Sequence, residues 1–155
     1  MRAHAARGDG GNARAALTEA ERFLDALPEA DRTASAFGYG ESQLRFHAGS
    51  AFTLLRDLPA ALEATARALK LCAPGDYTDW ALSRLGRAQC LARTDPDTGL
   101  GYAAETITAL TGPQRRGIIA DRARGLLSAL SPAQLMSPLA REFTELAGAQ
   151  EEDHN

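Results

Sequence analysis

The chain contains no valine and only three isoleucines, against 32 alanines and 21 leucines. β-Sheets draw on β-branched and aromatic side chains that fill a pleated surface, whereas alanine and leucine lead the helix scale. The 11 threonines are scattered rather than alternating with apolar residues. A sheet-based fold is therefore disfavoured and an all-α fold is expected. With 155 residues, 45% of them apolar, the chain is long enough to bury one core, and a single domain is the expectation from length.

Charge narrows the function classes. Seventeen basic and 20 acidic residues give a net charge of −3, too acidic for a general nucleic-acid surface. The basic cluster of Arg115, Arg116, Arg122 and Arg124 reads as a solvated helix face near a turn. No run of about 18 apolar residues is present to span a membrane, and no apolar stretch suits a signal peptide. A cytoplasmic chain is expected, with Cys72 and Cys90 reduced. The two cysteines lack a neighbouring ligand cluster for zinc. His47 reads as packed within a helix pair rather than as a third ligand.

The chain carries neither a Gly-rich phosphate loop nor a Gly-x-Ser-x-Gly elbow. His47 with Glu41 or Asp57 can be drawn as an acid–base pair but reads as surface charge. A non-enzymatic protein without a cofactor is expected.

Apolar residues recur at three- and four-residue steps between Pro- and Gly-rich breaks, which predicts seven helices with short antiparallel links. They cover residues 12–27, 41–56, 59–71, 78–93, 99–110 and 114–130, and a final helix opened by Ser131-Pro132. Residues 28–40 read as turn-like, with room for a helical turn within 32–37. The domain reading is a disordered or truncated lead-in at 1–11, a helical-repeat domain at 12–148 and an acidic tail at 149–155.

Tetratricopeptide repeats are helix–turn–helix units of about 34 residues, with small residues where the two helices touch. The segment 41–74 is similar to that pattern. With Gly49 at the repeat's first small position, Phe52 takes an aromatic slot, and Ala61 and Ala68 take small slots. Leu85-Gly86 follows Ala48-Gly49 by 37 residues, and Gly101 then falls near the matching small slot. Helix 12–27 reads as the second half of a repeat whose first half is mostly missing. Its Ala13, Ala16 and Leu17 are expected to form an exposed apolar edge or a self-association surface. The expected architecture is antiparallel helix pairs stacked as a short tetratricopeptide-like solenoid; a generic bundle with an Ala-rich core is the alternative.

A narrower resemblance lies in Ser35-Ala36-Phe37-Gly38-Tyr39-Gly40-Glu41-Ser42-Gln43-Leu44-Arg45-Phe46-His47-Ala48-Gly49-Ser50-Ala51. It continues through Tyr77-Thr78-Asp79, Arg84-Leu85, Cys90-Leu91-Ala92-Arg93, Ala104-Glu105-Thr106 and Gln114-Arg115-Arg116-Gly117-Ile118-Ile119. These blocks resemble the C-terminal tetratricopeptide-like region of actinobacterial helix-turn-helix transcriptional regulators of the XRE type, over most of residues 10–148. The resemblance implies a sensor or interaction region that follows a DNA-binding domain. Residues 1–11 are too few to hold that domain, so no residue here is expected to touch DNA.

In such repeats the first helix of each pair lines a groove. That places Gln43, Phe46, Ser50 and Thr53 on one stripe, and Trp80, Ser83, Arg87 and Cys90 on the next. Phe46 and Trp80 would offer stacking surfaces and Arg87 a charge anchor; equally, Trp80 would serve as core between repeats. Some tetratricopeptide proteins clamp a terminal carboxylate with Lys and Asn. Phe46 and Ser50 stand in two of those places here, which favours an apolar peptide or a small apolar ligand. The expected partner is thus a protein, a peptide or such a ligand, with neither nucleic acid nor membrane, and with a homodimer through helix 12–27 as a further expectation. A passive scaffold or oligomerisation module is the alternative function.

Overall fold

The structure, a computed structural model, describes residues 1–28 and 40–148, and all regular secondary structure in them is helical. The expected turn at 32–37 and the acidic tail fall outside the described residues. The chain divides into two compact units, Met1–Pro74 and Gly75–Asn155. Helices that pack chiefly on their chain neighbours divide in this way.

The first unit holds α1 (Arg2–Ala6), α2 (Gly10–Ala26), α3 (Glu41–Leu54) and α4 (Leu58–Leu71). The lead-in is not unstructured as expected: α1 forms, and Gly8 at φ +75° turns the chain into α2. The Asp9 carboxylate caps α2 by accepting from the Asn12 backbone N–H at 3.1 Å. Ala5, Ala13 and Ala51 are buried together, with Met1 and Leu55 packed around them. This corrects the expected apolar edge. Ala13 is 1% exposed because α1 and α3 cover it, and Ala16 and Leu17 are half-buried. The large exposed apolar groups lie further along, at Phe23 of α2 (68% exposed) and at Leu27 just past its end.

Helices α3 and α4 form the most extensive pair of the unit. The pair is antiparallel: Ser42 near the start of α3 donates to the Ala68 carbonyl near the end of α4 at 3.3 Å. Asp57 caps α4 through the Ala60 N–H at 3.3 Å, and Pro59 sits in its first turn, where a missing N–H costs nothing. Midway, Gly49 lies against α4. A Cβ there would stand 2.6 Å from the Thr65 Cγ2 and 3.5 Å from the Ala61 carbonyl oxygen. The Thr65 hydroxyl donates back to Ala61 at 2.9 Å, which fixes the methyl toward Gly49.

The second unit holds α5 (Tyr77–Ala92), α6 (Pro96–Thr108), a 3₁₀ turn (Gly112–Arg115), α7 (Ile118–Leu127), α8 (Pro132–Leu135) and α9 (Pro138–Gly148). Asp76 and Asp95 cap α5 and α6. Helix α5 pairs with α6 and touches α7, and α9 packs on α6 and α7 around fully buried Phe143, Leu85, Leu100, Ile107, Ile119 and Leu126. Gly101, expected at the small slot, meets nothing within 4 Å, and the close contact is Gly99, where a Cβ would stand 2.5 Å from the Ala92 nitrogen. The contact moves there because Asp95 starts α6 immediately after a short turn. Two expected helices are cut. Gly117 at φ +59° separates the 3₁₀ turn from α7. Pro138 forces a restart at α9, where the Ser137 hydroxyl accepts from the Ala140 N–H at 3.1 Å.

The Gly49 contact has a testable cost. Gly49→Ala is expected to destabilise the protein by about 1–3 kcal/mol through overpacking. Thr65→Ser keeps the hydroxyl and removes the opposing methyl, so the double variant should recover most of that loss. Denaturant unfolding of the four proteins of the cycle measures this; strictly additive losses would show that the contact is not the cause.

Candidate functional site

Of the stripe expected to bind a partner on α3, three residues are half-buried and one is buried. Gln43 accepts from the Gly40 N–H at 2.8 Å and so caps its own helix. Phe46 is half-buried, its ring 5.1 Å from that of His47. Ser50 is half-buried, whereas Thr53 is buried and donates to the Gly49 carbonyl at 2.8 Å. On α5, Trp80 and Arg87 are half-buried, while Ser83 and Cys90 are buried. Thr53, Ser83 and Cys90 are thus removed from any open surface. The two stripes also belong to different units.

Trp80 is held in a cross-helix cluster that periodicity alone does not show. The Arg84 guanidinium lies 5.1 Å from the Trp80 ring centre and 4.1 Å from that of Tyr102. Its Nε donates to the Thr106 hydroxyl at 2.9 Å. Trp80/Arg84 on α5 and Tyr102/Thr106 on α6 are both four-residue pairs, and that matched spacing was the signal in the sequence. The cluster fastens α5 to α6 by cation–π contact and hydrogen bonding.

An open concave feature of the first unit lies on a different side of α3. It is a groove of about 610 Å³ between α2, α3 and α4. Helix α3 supplies Glu41, Arg45, Ala48 and Phe52; α4 supplies Ala60, Glu63, Ala64, Ala66, Arg67 and Lys70; α2 supplies Leu17. None of the eight expected groove residues lines it. At 3.6 residues per turn, the stripe 41, 45, 48, 52 lies about 150° round the helix from the stripe 43, 46, 50, 53. Small side chains at Ala48, Ala60 and Ala64 leave the space, and Phe52 and Leu17 make it apolar.

Charges line one end of the groove. The Glu41 carboxylate accepts from Arg45 Nε at 3.3 Å and from Arg67 Nε at 3.2 Å. Arg45 also pairs with Glu21 of α2, so a chain of ion pairs joins three helices. Partial burial pushes the Glu41 carboxyl up, but the hydrogen bonds and charges of Arg67 and Arg45 outweigh it and hold the group below its ordinary value. Asp57 is also held down, by its hydrogen bond from Arg14 and then by the Ala60 N–H. Both carboxylates that could be drawn beside His47 are therefore taken by arginines. Among the described residues, no group of three His, Cys, Asp or Glu could hold a metal ion, and no helix is long and apolar enough to cross a membrane. What the groove offers is an apolar floor with a charged rim.

Two expectations follow. Glu41 and Asp57 have lowered folded-state values, so their stabilisation is present above their ordinary values of 4.5 and 3.8 and is lost as pH falls through the folded ones. The melting temperature should hold steady from neutral pH to about 5 and drop below about 4; Glu41→Gln should lower it at neutral pH and shallow the acid limb. An acid limb of unchanged steepness would refute this role for Glu41. Separately, the buried Ser83 hydroxyl has no hydrogen-bond partner among the described residues. Ser83→Ala should therefore be neutral or stabilising, by up to about 1 kcal/mol, and a marked drop in melting temperature would show that the hydroxyl is in use.

No family model, curated protein or solved structure matches this chain.

Proposed function

We propose that the chain is a non-enzymatic, cytoplasmic binding module of tetratricopeptide-like helix pairs. In this reading it serves like the effector region of XRE-type regulators and takes a helical peptide in the groove of Met1–Pro74. The close seat of Gly49 on Thr65 and the antiparallel α3–α4 register support the repeat reading, because such repeats place small residues at that contact.

The observation that carries the binding reading is the groove itself. Among the described residues it opens beside α2, with the buried Ala48, Phe52 and Ala64 at its floor and the half-buried Leu17, Ala60 and Ala66 around them. From Ala60 to Lys70 it follows α4 for about 15 Å, roughly three helical turns. That trough is open and elongated, which suits a helix laid lengthwise better than an enclosed small molecule.

The test is display selection of helical peptides against the full chain, with an Ala60→Trp variant as counter-screen. A tryptophan there fills the groove from the first turn of α4. Enriched peptides are expected to bind the variant at least tenfold more weakly while its melting temperature stays close to that of the parent. Equal binding to both proteins, or no enrichment over an unrelated helical protein, would overturn the reading.

A further inference from the structure

We infer that the occupant of this groove is an amphipathic helix that carries one basic and one acidic residue two turns apart. The inference rests on the groove reading and adds which partner the rim selects. Of the charged groups that line the groove, Glu41, Arg45 and Arg67 satisfy one another. Glu63 and Lys70 remain: both are exposed on α4 and neither has an ion-pair partner among the described residues. They are seven residues apart on one helix, hence about 10 Å along the same side.

A helix lying along α4 presents its own residues i and i+7 at that same spacing. A basic group opposite Glu63 and an acidic group opposite Lys70 would meet two opposite charges. Two like charges would meet one attraction and one repulsion, whichever way the helix ran. Between the two charges, Ala64 and Ala66 on α4 and Ala48 on α3 call for small or apolar residues on the inner face of the partner, while Arg67, paired with Glu41, lies on the rim between them. The rim thus selects for mixed charge, and the floor supplies the charge-independent part of the affinity.

The experiment uses three lactam-bridged helical peptides of about fourteen residues, bridged because unbridged helices of that length are marginal in water. They are identical except at two rim positions seven apart, which carry Lys and Glu, Lys and Lys, or Glu and Glu. Fluorescence anisotropy on the full chain at low salt is expected to favour the mixed peptide by about threefold to tenfold, the yield of two exposed ion pairs. Glu63→Lys should move the preference to the Glu/Glu peptide and Lys70→Glu to the Lys/Lys peptide. Both side chains are exposed, so both variants should keep the parent's melting temperature. At 1 M salt, where screening reaches about 3 Å, the preference should vanish and the residual affinity remain. A ranking that ignores both substitutions would sink the charge inference; if Ala60→Trp still abolished binding of all three peptides, the groove reading would survive it. Failure of all three peptides to bind would overturn both.

Discussion

The seat of Gly49 against Thr65 and Ala61 is the constraint on which the first unit depends. A residue with a Cβ fits there only at a cost, since an added carbon would stand 2.6 Å from a methyl whose own hydroxyl bond keeps it in place. Once that contact is made, the register of the pair is fixed. Ser42 then reaches Ala68, and Glu41 comes within reach of Arg67 at one end of the groove. At the other end Phe52 and Ala60 line the same trough. The charged and apolar ends of the candidate site are both consequences of one close approach.

A core this rich in alanine lets helices come close, yet each buried side chain contributes little, at about 0.8 kcal/mol per buried methylene-sized group. Specificity has to come from elsewhere, and the helix starts show where. Asp9, Asp57, Asp76 and Asp95 each precede a helix and accept a backbone N–H from its first turn. Such caps are worth about 1 kcal/mol each and set where the helix begins. The ion pairs Arg14–Asp57 and Arg45–Glu21 and the Trp80–Arg84–Tyr102 stack add directional contacts between helices.

Helix positions were largely legible in the sequence, because the absence of valine, the three- and four-residue spacing and the Asp and Pro breaks all point one way. Gly49 was legible for the same reason: a glycine among alanines mid-helix marks a close approach. What escaped was tertiary. Helix α1 is too short for periodicity to detect and exists because Ala5 packs against Ala13 and Ala51. Pro138 lay inside an apolar period, Leu135, Leu139 and Phe143, that continues across it, so the period concealed the break; Gly117 follows the polar Gln114-Arg115-Arg116, where no apolar period marks whether a helix has begun. Gly99 rather than Gly101 makes the close contact because turn length, not repeat spacing, sets where α6 meets α5. The expected binding residues were taken from a repeat pattern, and that pattern cannot show that Thr53 is buried or that Trp80 stacks with a cation from its own helix.

The side on which the groove opens follows from how α2 is held. Only Ala13 of α2 is fully buried, at the end where α1 backs it. Beyond that point α2 is tied to its neighbours by long charged side chains, Arg14 to Asp57 and Glu21 to Arg45. Ion pairs through side chains of that length hold a helix near its neighbour without bringing the backbones together, unlike the Gly49 contact. Leu17 is therefore left half-buried, as a wall rather than a core residue, with Ala48, Ala64 and Phe52 facing it across open space. A larger apolar residue at 13 or 48 would have pushed the helices apart, and an apolar pair in place of Glu21 and Arg45 would have drawn them together and closed the trough. The sequence has small residues where helices must touch and charges where they stand off, and the groove is the space between those two kinds of contact.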